Sequence, residues 1–382
     1  MTKSKSSAAA SLIRVSVLAL LPFMSASAMA AERYQLVDLG VLSGQSSSLA
    51  LSINASGTIV GVSGNRPFIS HGCGMSDLGV LSGGSSAAAN QIDNQGIIAG
   101  SAVGSDNATH AVSWQNGVIH LLQPGATYQS QGLAVDATGK VVGYEYELGN
   151  QASVTATGYV NDQPVSIPSD NDSVYGWGSV QVVNAANGSG QLAGYRQIFN
   201  SQNQFITQLG LVTPAGSSSW VRITPPAVYT AYTYPTAINE GGAVVGWSTG
   251  STEGTDYPHA FLSTNPGTAA LNLGTLGGAT SQAFGLNNAR WVVGIAATAT
   301  SNTAFLYDGT EMIDLNTTLV NGSGWTVTRA TAINDYIQIV GAGVYNGAQH
   351  AILLKPVTSS VLAINVGIIA SCSVAVAPIA FQ

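Results

Sequence analysis

Residues Ala237 to Ser248 read AINEGGAVVGWS, a stretch with no catalytic-looking side chain in which Asn239, Gly242 and Gly246 stand three and four residues apart. The apolar residues before the Asn suit a strand. The Asn-x-x-Gly segment supplies a side chain that can bond its own backbone and a residue tolerant of positive φ, and Ala-Val-Val-Gly opens a return strand. The stretch is therefore a β-hairpin, and Asn239 is read as a turn former rather than a ligand.

The same pattern recurs. Its copies begin at Asn54, Asp93, Asp136, Asn187, Asn239, Asn287 and Asn334, and each closes on a glycine seven residues later. Those glycines, from Gly61 to Gly341, are 39 to 52 residues apart, the period of one propeller blade per repeat. Two further strands keep step with each hairpin. The third appears as RPFIS, HAVSW, TGYV, ITQLGLV, HAFLS, TAFLY and HAILL; the fourth as MSDLG, IHLLQ, VSIPS, WVRIT, LNLGT and MIDLN. Four strands per repeat predict an all-β, seven-bladed β-propeller. The last repeat lacks a fourth strand, and YQLVDLG (Tyr34 to Gly40) precedes the first complete repeat, so pairing the two ends would close the ring. An open β-solenoid of the same repeats is the alternative.

The composition agrees with this reading. Across 382 residues only 8% are charged and 45 are glycine, which disfavours long helices. Residues 1–30 read as a signal peptide: Lys3, Lys5 and Arg14 flank an apolar run that ends in Ala28-Met29-Ala30. Its removal leaves eight of the eleven basic residues against all eighteen acidic ones, a net charge of about −10 that would repel phosphate backbones. Nucleic acid is excluded as a partner on that ground. The propeller is assigned to 31–356. The apolar tail 357–382 is long enough to cross a bilayer, yet Asn365, Gly367 and Pro378 interrupt it; a membrane anchor or sorting segment, an apolar segment packed on the propeller, and a disordered end all remain open. Membrane contact, if any, goes through this tail. Cys73 and Cys372, the only cysteines, could pair in an oxidising compartment.

The combination of His259-Ala260-Phe261 with LNLGTLGG (Leu271 to Gly278) resembles the HAF repeat family of extracellular bacterial proteins, and DLGVLSGG (Asp77 to Gly84) is a second match. The third and fourth repeats lack both patterns. The resemblance implies a secreted or surface-exposed propeller-like protein; it brings no established chemistry.

Catalytic signals are sparse. His110, His259 and His350 share one repeat position and read as strand-edge or packing residues, and no zinc or nucleophile motif occurs. Glu145, Glu147 and Asp256 read as solvated loop charges. No cofactor is expected beyond a calcium ion held by Asp170 and Asp172 in SDNDS, whose plain reading is an Asx-rich turn.

The repeats differ most in the loops leading into each blade. Those of blades one, two and six are small-residue loops such as LSGGSSA, but those of blades three, four, five and seven carry Tyr128, Tyr175, Trp177, Tyr229, Tyr232, Tyr234 and Trp325. These loops emerge on the same face as the loops joining strands two and three, which are long in blades three to five. Aromatics gathered on one face suit a sugar ring or a peptide segment. The sequence thus predicts a non-enzymatic binding or adhesion module for an extracellular glycan or protein surface. The alternative is an extracellular carbohydrate-active hydrolase or lyase on the same scaffold.

Overall fold

A computed structural model describes residues 33–357, apart from 124–127, 148–149, 168–169, 173–175, 179–180, 201, 203 and 251–256. The signal-peptide segment 1–30 and residues 358–382 of the tail lie outside the described residues, as does Asp256. Cys73 is disulfide-bonded; Cys372 lies outside the described residues. No helix among the described residues is long and apolar enough to cross a membrane.

The chain is all-β. In blade 1, Ser48–Ile53, Ile59–Ser63, Arg66–Ser70 and Ser76–Asp77 pair in that order, each antiparallel to the next. Blade 5 repeats the order with Tyr232–Ile238, Val244–Thr249, His259–Ser263 and Leu271–Asn272. The other repeats follow suit, and a single parallel pair, Gln208 with Tyr232, joins blades 4 and 5 at one edge. The last blade takes its outer strand from the other end of the chain: Tyr34–Gly40 lies antiparallel on Ala348–Pro356, Leu36 opposite Leu354. The acidic stretch Asp170–Asp172 is not the expected turn. It forms a strand paired with Gly176–Gly178, because extended backbone there can complete a ladder with Asp170 opposite Gly178.

The recurring glycines have a steric cause. Each inner strand carries a bulge just before its turn, as between Pro235 and Ala237. The bulge swings the preceding carbonyl over the partner strand, so a Cβ on Gly246 would collide with the Tyr234 carbonyl, and one on Gly61 with that of Leu49. A phenylalanine ring on the third strand then fills the space over the glycine, where its Cβ would point. Phe68, Phe261 and Phe305 are fully buried opposite Gly61, Gly246 and Gly294. The turn position itself is left-handed even where it lacks glycine, with φ 66° at Arg290 and 60° at Ile337.

Apolar residues pack between blades, not inside them. Val245, Leu262 and Ala260 of blade 5 meet Ala283, Val292 and Phe305 of blade 6. Val340 and Leu353 of the last blade meet Ala50, Ile59 and Phe68 of the first. Each blade thus buries both faces of its sheet, which is why its strands lack a simple inside-outside alternation.

Around the axis, side-chain bonds in up to three tiers tie most blades to the next. In the first, the turn Asn accepts from its own hairpin and donates its amide forward. Asn239 Oδ1 accepts from Ala243 N (2.9 Å), while Nδ2 donates to the Asn287 carbonyl of the next blade (3.0 Å). Asn187 donates likewise to Asn239, Asn287 to Asn334, Asn334 to Asn54 and Asn54 to the Asp93 carbonyl. In the second tier, the residue after the turn Asn donates its N–H to the side chain at the same position one blade on, as Glu240 does to Asn288 and Asn288 to Asp335. In the third, the bulge residue reaches forward: Asn184 to the Pro235 carbonyl, Thr236 to that of Ala283 and Thr331 to that of Ala50.

Candidate functional site

The hairpin turns of the inner strands converge at one end of the axis, around a cavity of about 210 Å³ lined by Asn54, Asp93, Asn187 and Asn239. A second axial cavity of about 190 Å³ is lined by the bulge residues Leu51, Leu133, Thr236 and Phe284. The aromatic residues singled out in the sequence belong to the opposite end of the strands, where each blade is entered and where its second and third strands are joined.

There the structure gathers some of them and separates others. Tyr232 and Tyr234, at the start of the inner strand of blade 5, each join an aromatic group shared with blade 4. The Tyr234 ring stacks on Trp247 of the adjacent strand at 3.8 Å and lies 5.8 Å from Tyr195 of blade 4. Tyr232 lies 5.2 Å from Phe205, which in turn meets Phe199 edge-on at 5.7 Å. Tyr229 stands apart, stacked on His259 at 4.3 Å. Trp325 belongs to the last blade, stacked on Tyr345 at 5.1 Å. Tyr128 is exposed at the start of its strand in blade 3. Tyr175 and the side chain of Trp177 lie outside the described residues.

Five members of the cluster region were not among the residues picked from loops: Tyr144, Tyr195, Trp247, Phe199 and Phe205. Their signal lay in the strands. The residue after the closing glycine is Val62, Ser101, Ile295 or Ala342 in four blades but Tyr144, Tyr195 and Trp247 in blades 3, 4 and 5. Reading down that column would have found the aromatic sector.

Phe199, Phe205 and Ile206 are each more than 40% exposed although they occupy a strand end, so this patch is an apolar surface left open to water. Polar groups border it: in the same loop Asn200 holds Gln204 through a side-chain bond of 2.8 Å. Burial, and then the neighbouring phenols, raise the pKa values of Tyr195 and Tyr234. These hydroxyls stay neutral hydrogen-bonding groups over the ordinary pH range.

A further feature lies two blades on. Arg329, at the same repeat position as Tyr234, places its guanidinium 4.1 Å over the Phe284 ring. Its Nε is buried without a hydrogen-bond partner, and burial lowers its pKa.

Two of the three repeated histidines share a role. His259 Nδ1 meets Asn272 Oδ1 (3.3 Å) and His350 Nδ1 meets Asp38 (3.0 Å), each on the fourth strand of its blade; Arg66 meets Asp77 in the same way (2.8 Å). In blade 2 the fourth-strand position is Leu121, and His110 bonds Asp106 instead (2.9 Å). Among the described residues no three potential metal ligands cluster.

No family model matches the chain, and no curated protein matches it. Several solved structures are similar in part. YCF48 bound to a D1 peptide shows 13% identity over 85% of this chain and 95% of that one, with a TM-score of 0.46. The β-propeller domain of the Trilobed protease from Pyrococcus furiosus shows 9% identity over 72% of this chain and 82% of that one, with a TM-score of 0.42. The extracellular domain of a putative one-component system from B. thetaiotaomicron shows 12% identity over 85% of this chain and 40% of that one, with a TM-score of 0.41.

Proposed function

We propose that this chain is a secreted or surface-exposed, non-enzymatic binding module whose aromatic sector on blades 4 and 5 holds a glycan. The observation that supports the reading is the continuous run of rings Phe199, Phe205 and Tyr232, with Tyr195, Tyr234 and Trp247 beside it. Exposing such rings costs about 25 cal/mol per Å² relative to covering them, and where blades 4 and 5 carry Tyr195 and Trp247, blades 1, 2, 6 and 7 carry Val62, Ser101, Ile295 and Ala342. Sugar rings offer apolar C–H faces for stacking and hydroxyls for Asn, Gln and Tyr partners, which matches the sector and its rim. The resemblance to HAF repeats belongs to the same proposal, and so does export to the cell surface.

Replacing Phe205 and Tyr232 together with alanine tests it. Titration calorimetry with a panel of oligosaccharides should show at least a tenfold loss of affinity for whichever glycan the parent binds, while the melting temperature moves by no more than a few degrees. Unchanged binding with a large loss of stability would make these rings packing residues. Turnover of a bound polysaccharide would replace the binding module with the carbohydrate-active enzyme.

A further inference from the structure

Five of the seven turn residues in the amide ring are Asn. The other two are Asp93 and Asp136, on consecutive blades. A carboxylate has no proton to pass forward, so at these two places the ring sets lone pairs against a carbonyl. The two sites resolve this differently. Asp136 Oδ2 lies 3.6 Å from Lys140 Nζ, and its Oδ1 accepts from Thr138 and Lys140 N–H groups. Asp93 has Ile97 at the position of Lys140. Its Oδ1 accepts from Gln95 N (2.9 Å) and Ile97 N (2.8 Å), as the Asn side chains do, but its Oδ2 is buried without a partner. By the repeat, Oδ2 stands where each Asn carries its amide nitrogen. The carbonyl ahead of it, Asp136 O, takes the turn bond from Gly139 and no amide from blade 2.

We propose that Asp93 carries a proton on Oδ2 in a pH range where a free aspartate is ionised, and donates it to the Asp136 carbonyl, so that a carboxylic acid stands in for the missing amide. The charged group facing it is the Asp136 carboxylate of blade 3, which itself lies beside Lys140 Nζ; the face of blade 1 behind it offers the Asn54 amide. Burial is the main cause of the upward shift in its pKa; the backbone bonds on Oδ1 oppose the shift and Asp136 adds to it.

The linkage has a definite sign. A folded-state pKa above the unfolded value of about 3.9 means that the folded chain binds the proton more tightly, so this contribution is complete below about pH 4 and is lost as pH rises through the folded value. The junction of blades 2 and 3 is thus a latch that loosens as the proton leaves.

The test is thermal melting of the full chain and of Asp93→Asn between pH 4 and pH 8. The variant should match the parent near pH 4, melt about 2 °C higher at pH 8, and show the shallower pH dependence. Equal slopes, or a variant that is less stable throughout, would overturn the proposal. So would a rise in the parent's melting temperature on adding calcium chloride that Asp93→Asn lacks, since a cation and not a proton would then bridge the oxygens. Should the variant not fold, the infrared spectrum of the parent followed upward from pH 5 decides: a protonated-carboxyl stretch that persists there supports the proton, and its absence from pH 5 upward refutes it.

Discussion

Blades 3 and 5 have the same four-strand plan but are held in the ring very differently. Blade 5 receives the Asn187 amide and the Gly188 N–H from blade 4 and passes its own Asn239 amide, Glu240 N–H and Thr236 hydroxyl to blade 6. Blade 3 receives Asn90 and Gln95 from blade 2, without the central amide. Towards blade 4 it presents Leu133, Asp136 and Ala137 at the three latch positions, and none of the three tiers has a bond there among the described residues. What remains is apolar packing of Ala134 and Val142 on Val183, Leu192 and Leu209. A shared strand plan therefore does not imply shared strength: the polar links can lapse at one junction while burial keeps the blade seated.

The largest expected effect concerns the last blade, where a strand from the other end of the chain is the tie. Deleting residues 33–40 strips Tyr34, Leu36 and Leu39 from the last blade and exposes the edge of Ala348–Pro356. The shortened chain should aggregate, or melt more than 10 °C lower, by size-exclusion chromatography and calorimetry; a monomer of parental stability would show that the terminal strand adds nothing.

Next is a single latch. Asn239→Ala removes a buried bond to Ala243, leaves the Asn287 carbonyl without its donor, and should cost about 2–3 kcal/mol in urea unfolding. A cost below about 0.5 kcal/mol would mean that packing alone holds blades 5 and 6, as it does blades 3 and 4. The smallest effect needs no mutation. By hydrogen exchange, amides of the inner strand Tyr128–Val135 of blade 3 should exchange roughly tenfold faster than those of Tyr232–Ile238 in blade 5. Equal protection would erase the distinction between the two blades.

Much of this fold was legible before any coordinates. The hairpin turn, the closing glycine and the order of strands follow from local chemistry, and the missing fourth strand of the last repeat pointed to Tyr34–Gly40. The forward half of each Asn was not legible, because the carbonyl it reaches, such as Asn287 for Asn239, is set by how blades pack and lies about one repeat away. The same limit applied to the candidate site. Tyr232 and Tyr234 were found from their loop, but Trp247 and Tyr195 sit inside strands, where an aromatic is ordinary β-propensity until neighbouring blades bring the rings together. Trp325 and Tyr229 looked equivalent to them in sequence and have separate partners, since a loop residue's neighbours depend on which blade it leans upon.

The amide ring also bears on how such a chain can change in length. Every turn Asn hands one donor to the repeat that follows and offers one acceptor to the repeat before, so each Asn-bearing unit presents the same plug and socket to its neighbours. A duplicated or excised repeat would bring its own plug and find a matching socket, whatever the total. Nothing in the latch encodes the number seven. That number must be set by the twist of the sheets and the wedge of side chains between them, which leaves gene duplication free to copy a blade without redesigning its joints.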